Sequence, residues 1–161
     1  TTAKLEQTLN SLKCASALIV TDSQDFKTVY ELKPEESRLT SFSVLFARWK
    51  GDIDEFIRGA EALSSRDENS RVLIAEACSH APLAEDIGRE KIPALIRKKI
   101  NPNIKFDIFS EYDLIIHCGA CMFSRSQMLN RINDVKKHKI KITNYGITIA
   151  YLNSIIDKIT W

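Results

Sequence analysis

Apolar residues along this chain follow two rhythms, short unbroken runs and stripes that return every three or four positions. The runs Ala17-Leu18-Ile19-Val20, Val72 to Ala77, Asp113 to Ile116 and Ile140 to Thr143 predict buried strands, and Ile104 to Phe109 alternates as a half-buried strand does. The stripes predict helices. Leu5, Leu9 and Leu12 mark one over Lys4 to Lys13, and Thr21-Asp22-Ser23 supplies caps for a second carrying Phe26, Val29 and Tyr30, closed by Pro34. The longest stripe is Phe42, Leu45, Phe46, Trp49, Ile53, Phe56, Ile57, Ala60, Leu63, with a break expected at Gly51. Pro93 suits the first turn of a helix over Ala94 to Ile100. Ser124-Arg125-Ser126-Gln127 reads as a capping box that opens a helix with Met128, Leu129, Ile132 and Val135 on one face. After a loop at Asn144-Tyr145-Gly146, a last helix is expected from Ile147 to about Ile159.

Strands alternating with helices predict an α/β fold, and right-handed crossovers make the sheet mostly parallel and flanked by helices. The polar stretch Ser64 to Ser70 has no periodicity and reads as a linker, dividing residues 1–70 from 71–161. The first half shows one strand, whose backbone groups need partners from another copy or from outside this sequence, so it is expected to be a partial, helix-rich α/β unit. Its aromatic stripe needs burial too, in an internal core or against a second copy.

With 44% hydrophobic and 27% charged residues, the composition is that of a folded globular protein. A net charge of +2 offers no general basic surface for nucleic acid, and Lys136-Lys137-His138-Lys139 suits the solvated end of a helix. No apolar run is long enough to span a bilayer and Thr1 to Asn10 lacks the apolar segment of a signal peptide, so a cytoplasmic location without membrane contact is expected. None of the five glycines precedes a Lys-Ser or Lys-Thr pair, so no phosphate-binding loop is present; neither GTP binding nor catalysis is expected of this chain.

The candidate chemistry lies in His117-Cys118-Gly119-Ala120-Cys121 and Cys78-Ser79-His80. Both motifs end apolar strands, where open α/β sheets place their ligands. Two thiols separated by two residues can chelate one centre from a single turn, and Gly119 would ease an unusual backbone conformation there. Cys-x-x-Cys alone also suits a zinc ribbon or a redox pair, but a redox pair needs no third sulfur, and Cys78 offers one. The bland alternative makes Cys78 a small buried hydrophobe. His80 and His117 are each a fourth ligand, a donor to sulfur, or a packed histidine satisfied by the backbone. Cys14, remote in sequence, reads as a buried filler. The helix expected after Cys121 would bring its amino terminus near the thiols, and Met122 and Phe123 are candidates for an apolar wall.

At these residues the sequence resembles a known family. The stretches VLIAEACSHAPLAEDIGREKIPALIRK, DLIIHCGACM and ITNYGITIAYL resemble the C-terminal part of HydF, the GTPase and scaffold family that matures FeFe-hydrogenases; VTDSQDF and LTSFSVLFARWKGDIDEFIRGAEAL resemble its dimerisation region. The resemblance implies a 4Fe-4S cluster on Cys78, Cys118 and Cys121 with a labile fourth position, and it places the family's histidines on His80 and His117. It further implies a scaffold that holds a diiron precursor bearing carbonyl and cyanide ligands, works with two radical-SAM maturases and delivers to apo-hydrogenase. A homodimer follows, with Phe42, Leu45, Phe46, Trp49 and Phe56 as interface candidates. Two departures stand out: the segment between the motifs is short, and Ala120 occupies a position where glycine is expected. The rival reading is a structural zinc module with three cysteines and a histidine that serves protein interaction.

Overall fold

In the computed structural model of the protein, the residues described are 4–77, 86–106 and 111–161. They form a mixed α/β fold with two parallel sheets. The first pairs β1 (Leu18–Thr21) with β2 (Arg38–Ser41), and the second has the order β3 (Val72–Ala75), β4 (Leu114–His117), β5 (Lys141–Asn144). The helices are α1 (Leu5–Ser11), α2 (Phe26–Leu32), α3 (Phe42–Lys50), α4 (Ile53–Glu61), α5 (Ile92–Lys99), α6 (Arg125–Lys137) and α7 (Tyr145–Leu152).

Several sequence expectations hold locally for the reasons given. Helix α3 stops at Gly51, and Asp52 restarts the chain by accepting the Glu55 N–H, so the long stripe becomes two helices. Ser124 and Gln127 bond reciprocally at the start of α6, each satisfying a backbone N–H of the first turn. Pro93 lies in the first turn of α5.

Other expectations need correction. The first half holds two strands, because Arg38–Ser41 pairs along the whole of β1. Its Leu39, Thr40 and Ser41 are all buried, a pattern that two polar side chains hide from a hydrophobicity count. Cys14 is exposed rather than buried, since it sits on the surface segment between α1 and β1. Of the strand expected over Ile104 to Phe109, the described part, Ile104 to Phe106, makes a single parallel bridge, Lys105 to Arg71, and 107–110 lie outside the described residues. The last helix begins directly at Tyr145, capped by Asn144, and ends at Leu152, just before Ser154 takes a left-handed φ of 58°. A 3-10 turn (Ile156–Lys158) follows.

The core is built around β5 and α7. Every residue from Ile142 to Ala150 is buried, so β5 is covered on both faces and α7 is enclosed nearly all round. Helix α4 packs onto β5 so closely that a Cβ on Gly59 would lie 2.0 Å from the Ile142 carbonyl oxygen. Lys136 of α6 bridges Asp52 and Glu55 at the start of α4, at 2.9 and 3.3 Å. The N-terminal elements are stitched to this core by polar contacts. Asn144 Nδ2 donates to the Ser43 carbonyl at 2.9 Å, Gly146 N–H donates to Ser43 Oγ at 3.1 Å, and Thr160 N–H donates to the Leu39 carbonyl at 2.7 Å. The tail thereby adjoins β2, and among the described residues β1 is left as the open edge.

Candidate metal centre

The parallel register pairs Ala75 with His117 and His117 with Asn144, which aligns the tips of all three strands. The pairing runs one step further: Cys118 N–H donates to the Ala75 carbonyl at 2.9 Å, and Ala77 N–H donates to Cys118 Sγ at 3.3 Å. An amide aimed at sulfur stabilises a thiolate more than a thiol, because the charged acceptor forms the stronger bond. Cys118 is half-buried and Cys121 is exposed, so the turn offers one anchored and one accessible sulfur. Cys78 and His80 lie outside the described residues. Among the described residues, no three of His, Cys, Asp and Glu gather as a metal site would require.

The turn takes its shape from an unexpected residue. Gly119 has no positive φ, while Ala120 does, at 52°. A left-handed alanine costs roughly 1–2 kcal/mol through its Cβ, where glycine would be nearly free. That strain is met by three hydrogen bonds from two donors. Phe123 N–H reaches the Ala120 carbonyl at 3.0 Å, and Lys50 Nζ donates to the carbonyls of Ala120 at 3.3 Å and Cys121 at 2.8 Å. The Lys50 ammonium also stands 4.4 Å over the Phe46 ring. In the opposite sense, Arg125 at the start of α6 donates to the Trp49 carbonyl at 3.0 Å. The end of α3 and the cysteine turn therefore exchange cations for carbonyls.

His117 is buried, and both of its ring nitrogens are engaged: Nδ1 lies 2.8 Å from the Cys118 carbonyl and Nε2 lies 2.9 Å from Arg131 Nη1. A carbonyl can only accept and a guanidinium can only donate, which selects the neutral tautomer with its proton on Nδ1. Burial lowers the His117 pKa most, with the Arg131 charge acting the same way against the Cys118 carbonyl bond, so the ring stays neutral near pH 7. Phe123 braces the group, edge-on to His117 at 6.0 Å and 4.3 Å beneath the Arg131 guanidinium. Met122, by contrast, is 68% exposed.

On the Cys118 side stands Tyr145, one residue beyond the paired tip of β5. It is buried, and its hydroxyl has no hydrogen-bond partner among the described residues. Burial raises its pKa strongly, and the negative charge of Glu76 and of a Cys118 thiolate adds to this, so the phenol keeps its proton and remains a donor. A Cβ on Gly88 would come within 2.3 Å of Tyr145 Oη and 3.0 Å of Glu76 Oε1, so only glycine fits at that position. An unsatisfied buried donor beside a sulfur turn, an amide already on sulfur and a neighbouring cation together fit a thiolate-held metal better than they fit an apolar core.

Of the residues singled out along the stripe, Phe42 and Trp49 are 60% and 75% exposed, Leu45 and Phe46 are half-buried, and Phe56 is buried in the core. Tyr145 lies in the Asn144-Tyr145-Gly146 stretch that the sequence places at a strand tip, but Lys50 and Arg131 carried no signal in the sequence. A lysine at a helix end normally reads as complementing the helix dipole, and nothing in its spacing says that it reaches a turn 71 residues away. A cleft of about 360 Å³ lies elsewhere, between the ends of α5 and α7, lined by Lys99, Tyr151 and Asp157 among others; it takes in neither cysteine.

Fold and site together describe a parallel α/β module that presents a pair of thiols at its strand tips. Residues 54–160 match the family model for the hydrogen maturase F tetramerization domain, and residues 1–51 match that for the hydrogen maturase F dimerization domain. The chain belongs to the hydrogen maturase F family, and its role lies in hydrogenase maturation. Both matched regions are self-association domains, and they meet at the junction of α3 and α4. No curated protein matches the chain. No helix among the described residues is long and apolar enough to cross a membrane.

Proposed function

We propose that this chain is the self-associating, cluster-carrying part of a hydrogen maturase F protein. Cys118 and Cys121, with Cys78 as the third thiolate, hold a 4Fe-4S cluster whose fourth iron takes an exchangeable ligand. Bound there, the cluster supplies an iron site able to accept a further ligand. The cargo is a diiron precursor with carbonyl and cyanide ligands, received from radical-SAM maturases and passed to apo FeFe-hydrogenase. The observation that carries this reading is the preformed cysteine turn at the strand tips, with the Ala77 amide already directed at Cys118 Sγ, in a chain of this family.

The chain's own residues supply the setting. His117, with both ring nitrogens committed, orients the turn through the Cys118 carbonyl, and Tyr145 offers a phenolic donor on the sulfur side. The exposed Cys121 leaves the site open to partners. Division of labour follows the chain order, with residues 1–70 serving dimer formation and 71–161 the cluster. The outward face of α3, Phe42 and Trp49 over Leu45 and Phe46, forms the contact between copies, while Phe56 serves the internal core.

Metal and acid-labile sulfide analysis of anaerobically purified protein tests the reading. Iron and sulfide in cluster proportion are expected, lost in Cys78→Ser, Cys118→Ser and Cys121→Ser and kept in Cys14→Ser. Stoichiometric zinc without sulfide would replace this reading by the zinc module.

A further inference from the structure

We infer that Lys50 is the positioning residue of the metal turn: it holds the left-handed Ala120 in place and so ties the sulfur geometry to the dimerisation region from which it comes. This deepens the function proposed above and rests on it. Four observations converge. Ala120 is buried at 3% exposure with a φ of 52°, a conformation that an alanine keeps only when its surroundings over-determine it. The Lys50 ammonium is the one side-chain donor to that carbonyl among the described residues, at 3.3 Å, and it binds the next carbonyl, of Cys121, at 2.8 Å. The Ala120 carbonyl belongs to the last peptide unit between Cys118 and Cys121, and the Cys121 carbonyl to the unit that leads out of the turn, so the ammonium bridges the two units that flank Cys121. The ammonium is itself held in place by the Phe46 ring.

The chemistry favours such a clamp. A turn that opens toward two thiolates gathers negative charge, and a cation on its carbonyls offsets that charge without competing for the metal. Lys50 also lies within the span matched by the dimerization domain, whereas the turn lies within the tetramerization match. Assembly through α3 and shaping of the metal site thus share one helix, reinforced by Arg125 on the Trp49 carbonyl. Helix α3 is anchored at its other end by Asn144 and Gly146 on Ser43, so a shift of α3 moves both ends of the contact together.

The test is a cycle of four full-length proteins: wild type, Lys50→Met, Ala120→Gly and the double variant. Methionine keeps most of the apolar stem and removes the donor; glycine removes the strain that the donor offsets. Each is reconstituted anaerobically with ferrous iron and sulfide, and the rate at which a chelator strips the iron is measured. In parallel, amide hydrogen exchange at Cys121, Met122 and Phe123 is followed in the metal-free proteins. Lys50→Met is expected to lose iron about tenfold faster and to exchange these amides faster by a similar factor, the ratio that a strain of this size gives. Ala120→Gly should match wild type, and the double variant should recover most of the loss. Unchanged iron loss and exchange in Lys50→Met would overturn the inference, as would a loss that Ala120→Gly fails to rescue. If the wild type takes up no cluster, the proposed function fails, and the exchange cycle alone still decides whether Lys50 holds the turn.

Discussion

On β1, Leu18 and Val20 are 39% and 37% exposed, whereas on β4 Leu114 and Ile116 are fully buried and β5 adds three consecutive buried residues. Both strand sets are parallel and built from short apolar runs, so the difference lies in what covers them. Strands β4 and β5 are enclosed by α4, α6 and α7, which satisfies the rule that parallel strands need cover on both faces. The two-stranded sheet has the tail along β2 and nothing among the described residues along β1. A two-stranded sheet is marginal alone. The N-terminal region thus leaves its edge strand half-exposed within a segment that matches a dimerization domain, while its Phe26, Val29, Leu39 and Val44 join the same core as β4 and β5.

The largest expected effect probes this asymmetry directly. Ile116→Ala on β4 should cost about 2–5 kcal/mol in urea unfolding, while Leu18→Ala on β1 should cost under about 1 kcal/mol, because a side chain already in water leaves no cavity. Equal losses would mean that β1 is as well covered in solution as β4. Next, Trp49→Asp, and to a lesser degree Phe42→Asp, should weaken self-association by about 2 kcal/mol or more in sedimentation while leaving thermal unfolding of the dissociated chain almost unchanged. An undiminished assembly would take the outer face of α3 out of the interface.

Smaller effects sharpen the contrast between stability and function within the C-terminal region. Tyr145→Phe removes a buried hydroxyl that has no partner among the described residues and should raise the stability of the metal-free protein by about 1 kcal/mol in urea. A destabilised variant would reveal a satisfied hydroxyl. The smallest effect is expected from Lys136→Met, roughly 0.2–1 kcal/mol, since the Lys136 and Asp52 side chains are 39% and 34% exposed and solvent screens the pair. Lys136 holds the Asp52 pKa down; at Glu55 burial works to raise the pKa, and bonds from Arg58 and Lys136 outweigh it. Both folded carboxyls titrate below their ordinary values of 3.8 and 4.5, so their stabilisation is fully present above those values. It is lost as pH falls through the lowered folded pKa values. The gap between wild type and Lys136→Met in a stability profile should therefore stay level near neutral pH and close below about pH 4.

Sequence alone determined the elements whose causes are local: the break at Gly51, the capping box at Ser124, and the apolar runs of β3, β4 and β5 with thiols at a strand tip. It also carried the family, through motifs that the two matches span. Strand β2 escaped it because Thr40 and Ser41 are polar, and only pairing with β1 and contact with α2 and α3 bury them. Cys14 escaped for the opposite reason: a residue type that is usually buried was left on a surface segment that nothing covers. The commitment of both His117 nitrogens, the orphaned Tyr145 hydroxyl and the left-handed turn at Ala120 were decided by tertiary structure alone. Each depends on a neighbour brought in by the fold: Arg131 at His117 Nε2, Gly88 packed against the Tyr145 hydroxyl, and Lys50 at the Ala120 carbonyl. Residue type and periodicity record what a side chain prefers, and only the packed fold determines which distant group is close enough to meet that preference.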